Sequence, residues 1–182
     1  MKNLPNIISF FRLLLIPVVI ICFINRENYA ALAVFAIAGL SDILDGYIAR
    51  KYNAITELGK IIDPLADKGM IVAVLYMMTA QGMLHIWLPI LITLKELVMF
   101  FGSLILYRKK VVISARWFGK AATAVITACV VTILLFDAHI APTWKTAIQA
   151  AAVIFALFAF VKYIEQYYKH KKSGGVLNEQ AN

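Results

Sequence analysis

Apolar and polar positions along this chain fall into long blocks, not short periods. Six mostly apolar stretches stand at about 7–24, 30–50, 59–80, 86–107, 117–136 and 144–166. Each is long enough to cross a bilayer, since about 20 such residues in a helix span the hydrocarbon core. Polar breakers separate them: NREN, KYNAITE, AQGM, RKKVVISAR and DAHIAPT. The pattern predicts an all-α integral membrane protein, one domain of six transmembrane helices over 1–172. The polar, glycine-bearing end, SGGVLNEQAN at 173–182, is expected to be a disordered tail. The first apolar run has no small-residue cleavage site and more spans follow it, so it reads as a retained helix rather than a signal peptide.

Composition agrees. The chain is 62% hydrophobic and 15% charged, against about 25% charged for soluble domains. The net charge of +8 is unevenly placed. Lys2, Arg50, Lys51, Lys60, Arg108, Lys109, Lys110, Arg116, Lys120, Lys169, Lys171 and Lys172 all lie toward one face, and only Arg26 and Lys145 lie in loops toward the other. The positive-inside rule then puts both termini in the cytoplasm of a cell-membrane protein. No soluble basic domain is present, which argues against nucleic acid as a partner. Cys22 and Cys129 lie inside apolar runs without metal-ligand spacing and read as packing residues. His85, His139 and His170 stand apart from any acid cluster, and Trp87, Trp117 and Trp144 mark span ends, as in an aromatic belt.

One stretch breaks the apolar pattern, SDILDGYIARKYNAITELGKIIDPLADKG, which carries Asp42, Asp45, Asp63 and Asp67. Carboxylates in spanning helices are costly and normally face a protein interior with a partner. Asp42 and Asp45 share one helical face, as do Asp63 and Asp67. Their two helices run antiparallel, so the acidic faces can meet near the inner leaflet. Four like charges in one cleft repel, and one or two divalent cations relieve this. All-oxygen ligands suit Mg²⁺, with Mn²⁺ or Ca²⁺ as substitutes. Two such ions would stabilise both the attacking and the leaving oxygen of a phosphoryl displacement. Gly46, Ala49 and Gly59 either pack helices closely or leave room for substrate beside the acids. Arg50 is either a positive-inside anchor or a phosphate partner. Pro64 is either a first-turn proline or a bend in the third span.

The same stretch resembles the signature of the CDP-alcohol phosphatidyltransferase family, D-x-x-D-G-x-x-A-R-x8-G-x-x-x-D-x-x-x-D, at every fixed position: Asp42, Asp45, Gly46, Ala49, Arg50, Gly59, Asp63 and Asp67. The six-span plan resembles that family too. The resemblance implies transfer of a phosphatidyl group from a CDP-linked lipid to an alcohol, with release of CMP. It implies that Asp42, Asp45, Asp63 and Asp67 hold a two-metal Mg²⁺ site, and that Asp67 is the general base. Gly46, Ala49, Arg50 and Gly59 would border the CMP half of the donor, with Asn6 a further donor contact. A homodimer is also implied.

Two branches of the family resemble the chain through LPNIISFFRLLLIP and IDPLADK. One uses glycerol 3-phosphate and forms phosphatidylglycerophosphate. The other uses phosphatidylglycerol and forms cardiolipin. The first is the leading expectation, with CDP-diacylglycerol as donor. Its dianionic acceptor needs a basic pocket, for which Lys120 in WFGKAAT, Arg116, Arg108 and Lys95 are the candidates. The RKK run at 108–110 reads as an anchor that also attracts anionic lipid. Lys95-Glu96 doubles as an internal ion pair positioning the fourth span. Many glycerol 3-phosphate enzymes carry Arg-Glu at that place and a Leu-Arg pair further on, which LVMFFGSLILYRKK lacks. Arg12 is expected to snorkel to the headgroups. The reading of another class is a cation or proton transporter. It fits less well, because all four acids cluster at one face and the second half of the chain has no matching pair.

Overall fold

The protein is described here by a computed structural model, which defines the backbone of residues 4–51, 59–108 and 117–179 and the side chains over 7–48, 62–102 and 121–165. Among the described residues six α-helices form where the apolar blocks stand: α1 (Leu4–Ile24), α2 (Asn28–Lys51), α3 (Gly59–Ala80), α4 (Trp87–Arg108), α5 (Trp117–Phe136) and α6 (Pro142–Glu179). Among the described residues one 3-10 turn, Asp137–His139, leads from α5 toward α6. The last helix is continuous past residue 172, to Glu179.

Among the described residues four helices are long and apolar enough to cross a membrane: α1, α2, α5 and α6. The other two expected spans are helical but carry charge. Lys60, Asp63, Asp67 and Lys68 stand on α3, and Lys95, Glu96 and Arg108 on α4. Packing explains how α3 carries them. Ala66, Met70, Ile71, Val74, Leu75 and Met78 on it are all buried against other helices. Outward faces are apolar instead, as on α1, where Phe10, Phe11, Leu14, Val18 and Ile21 are exposed. That is the surface a lipid environment requires.

The helix ends facing away from the acids are closed by backbone chemistry. After α1, Arg26 adopts φ 61° and Glu27 N–H donates to the Cys22 carbonyl, with Arg26 N–H donating to Phe23. After α3, Gly82 adopts φ 77°, Met83 N–H donates to Met78 and Gly82 N–H to Thr79. Both are Schellman caps, which satisfy carbonyls that a helix end leaves open. Gln81 Nε2 also donates to the Phe23 carbonyl at 2.8 Å, tying α3 to α1. At the same end His85 N–H donates to the buried Gln149 Oε1, and Lys145 pairs with Asp137 at 2.7 Å.

The central feature for the site is the place of α1. It is the chief neighbour of both α2 and α3, which touch each other more sparingly, while α5 packs mainly on α6. Gly69 permits the close approach of α1 to α3: a Cβ there would lie 3.1 Å from Ile16 Cδ1. Pro64 lies inside α3 beyond its first turn. The first-turn reading therefore gives way, and the carbonyl four residues earlier lacks its helical donor.

Candidate active site

The acids of α2 and α3 are joined through α1. Ser9 and Arg12 stand three residues apart on α1, hence on one face. Arg12 Nη1 lies 2.8 Å from Asp42 Oδ1, and its Nη2 lies 2.5 Å from Asp45 Oδ2. Ser9 Oγ donates to Asp63 Oδ1 and also lies 3.4 Å from Asp45 Oδ2. Asp42 is within electrostatic range of Asp67, and Asp45 of both Asp42 and Asp63. One cluster thus holds the four carboxylates that the sequence singles out.

Arg12 corrects an expectation. It does not snorkel to the headgroups: it is 1% exposed, enclosed between α1 and α2. It begins about 12 Å along α1 from the helix start, at 1.5 Å per residue. At that depth, paired carboxylates are closer than water, and they supply the partner an intramembrane charge needs.

A second polar chain continues from α3 to α4. Lys68 Nζ lies 3.2 Å from Asp67 Oδ2 and 3.7 Å from Glu96 Oε2. Lys95 Nζ lies 2.6 Å from Glu96 Oε1. The internal-ion-pair reading of Lys95-Glu96 matches this geometry, and Lys95 is buried rather than open to a phosphate. Sequence reasoning passed over Ser9 and Lys68. The available signal was spacing: Ser9 shares a face with Arg12, and Lys68 adjoins Asp67.

The cluster has a graded opening. The side chains of Asp42 and Asp67 are 48% and 31% exposed, while that of Asp45 is 7% exposed. Substrate would approach from the Asp42 and Asp67 side. Asn6, Ala49, Arg50, Gly59, Arg108 and Lys120 have backbone in helices, but their side chains lie outside the described residues; Arg116 lies outside them altogether.

The donor set suits a hard cation. Among the described residues five carboxylates (Asp42, Asp45, Asp63, Asp67, Glu96) meet three cations (Arg12, Lys68, Lys95). When all are ionised, two negative charges stay uncompensated, on oxygen ligands of the kind Mg²⁺ and Mn²⁺ prefer. Among the described residues no three acids, cysteines or histidines converge tightly enough to grip an ion as they stand, because Asp42 and Asp45 converge on Arg12.

Residues 2–162 match the profile of a family described as CDP-alcohol phosphatidyltransferase. A Mycobacterium tuberculosis protein named probable phosphatidylglycerophosphate synthase is 33% identical over 171 residues, covering 89% of this chain and 80% of that protein. In Aquifex aeolicus a CDP-diacylglycerol–glycerol-3-phosphate 3-phosphatidyltransferase is 28% identical over 173 residues, 92% of this chain and 97% of its own. A Mycoplasma genitalium protein of the same name is 35% identical over 126 residues, 69% of this chain, and the match spans 44% of that relative's length. The family match takes in the first five helices, most of the sixth and every acid of the cluster. This chain belongs to the CDP-alcohol phosphatidyltransferase family, multi-pass membrane enzymes that use a divalent metal.

Proposed function

We propose that the enzyme moves the phosphatidyl group of CDP-diacylglycerol to glycerol 3-phosphate, giving phosphatidylglycerophosphate and CMP. The observation that carries this is the partly buried carboxylate cluster, in a chain whose relatives over most of its length are named for that synthesis. Asp42, Asp45, Asp63 and Asp67 would hold the metal pair, Mg²⁺ in the first instance, whose charge would polarise the diphosphate and neutralise the departing CMP. Asp67 takes the proton of the acceptor hydroxyl. The freed oxygen bonds to the lipid-side phosphorus as the bond to the bridging oxygen breaks, and CMP leaves with that oxygen. Lys68 holds Asp67 from one side and is itself held by Glu96.

Gly46, Ala49, Arg50, Gly59 and Asn6 border the CMP half of the donor, and Lys120, Arg116 and Arg108 receive the acceptor phosphate. Lys95 serves Glu96 instead. The lysine and arginine distribution supports a cytoplasmic site with both termini on that side. The homodimer of the same reading rests on family resemblance alone.

The test is CMP release by purified protein in detergent, with CDP-diacylglycerol and Mg²⁺. Glycerol 3-phosphate, phosphatidylglycerol, inositol and serine are supplied separately. Release with glycerol 3-phosphate alone is the expected outcome. Release with phosphatidylglycerol instead would replace the acceptor with the one that forms cardiolipin. Asp67→Asn should lower turnover roughly 100-fold or more while the protein stays folded; near-normal turnover would remove Asp67 from the base role.

A further inference from the structure

Arg12 takes up the oxygens that the metal reading assigns to the ion. Its guanidinium spans two residues, one nitrogen on Asp42 and another on Asp45. It is not gripped through its whole fork. Nε is buried and has no hydrogen-bond partner among the described residues. The two carboxylates are what hold it. The same pair, with Asp63 joined through Ser9, would carry three negative charges with no other described cation in direct contact. Asp45, with a side chain only 7% exposed, needs a positive partner at all times. Arginine and a divalent ion are both able to be that partner, and they draw on the same oxygens.

We propose that Arg12 is a resident counter-cation: it holds Asp42 and Asp45 in the metal-free enzyme and yields them when the divalent ion binds. The consequence is competition. Arg12 keeps the acids in register without metal, and by the same contacts it lowers the resting affinity for metal. This rests on the assignment of Asp42 and Asp45 to the metal. It adds a role for a residue on another helix, outside the acidic motif.

The experiment reads metal binding rather than turnover. Mn²⁺ is titrated into purified protein in detergent, with free Mn²⁺ followed by its electron paramagnetic resonance signal and melting temperature followed in parallel. Arg12→Gln should bind Mn²⁺ about tenfold more tightly than the unaltered protein, within the usual range of coupling between two ligands. It should also melt lower in chelator and gain more from Mn²⁺, since a ligand bound only by the folded state stabilises it. Arg12→Lys keeps the charge but cannot span both carboxylates as a fork, and its affinity should fall between the two. Equal or weaker Mn²⁺ binding in Arg12→Gln overturns the proposal and makes Arg12 a scaffold for the metal site. Should Arg12→Gln not fold, equal or weaker binding in Arg12→Lys overturns it. Asp45→Asn separates the two layers. Weakened Mn²⁺ binding in that variant supports the metal assignment, and unchanged binding overturns it together with the proposal.

Discussion

Glu96 stands between two ammonium groups, Lys95 at 2.6 Å and Lys68 at 3.7 Å, with its own side chain 11% exposed. Removing its charge leaves the buried Lys95 without its described carboxylate partner and Lys68 with Asp67 alone. Glu96→Gln should therefore destabilise the protein by about 1–3 kcal/mol, the range for leaving a buried group unsatisfied, as read from unfolding in detergent micelles. The partly exposed Lys68 limits the effect. At this scale the acids were legible because their spacing within each helix is short and fixed. The partners of those acids were not. Ser9 and Arg12 lie 54 and 30 residues from Asp63 and Asp42. Such pairing depends on which helix fills the space between α2 and α3, and periodicity within one helix carries no such information. An arginine near a cytoplasmic end also has a common second explanation, snorkelling, which only its burial removes.

Two helix ends use one motif with different residues, and this sets up a paired comparison. Gly82 adopts φ 77° with open space where a Cβ would go, so Gly82→Ala tests conformation without a clash. It should lower stability by about 1 kcal/mol. Arg26 adopts φ 61° as a non-glycine residue, so Arg26→Gly should raise stability by up to about 1 kcal/mol. Thermal melts of the two variants should move in opposite directions. Helix positions were legible from the breakers, since each polar or glycine-bearing cluster coincides with a chain reversal or lies between helices. The character of α3 and α4 was less so. They form in the expected places, but their charged positions make sense only once α3 is seen enclosed by its neighbours. The direct meeting of acidic faces expected across the α2–α3 hairpin is mediated in large part by α1, whose Ser9 hydroxyl is shared by Asp45 and Asp63.

Over the whole molecule, the described carboxylates of the cluster and their cations stand on α1, α2, α3 and α4, with α3 joining α1 and α2 to α4, while α5 packs mainly on α6. Fold and metal dependence are separable in this arrangement, because Arg12 and Lys68 already compensate part of the acid charge. Chelation with EDTA should abolish CMP release, and Mg²⁺ should restore it, while helix content by circular dichroism stays unchanged. Loss of helix on chelation would mean that the metal, not the arginine, holds the bundle end together. The membrane class and the acid-bearing helix pair were readable from hydropathy and spacing. The basic residues proposed for the acceptor, Lys120, Arg116 and Arg108, have side chains outside the described residues.

The seat of Arg12 on the first helix has a consequence for biogenesis. Chains emerge amino end first, so α1 enters the bilayer carrying an arginine before any carboxylate of the cluster has been made. Asp42 and Asp45 arrive with α2, and Asp63 follows with α3 to meet Ser9. The charge on Arg12 thus gains its carboxylate partners only with the second helix, and the Ser9 hydroxyl gains Asp63 only with the third.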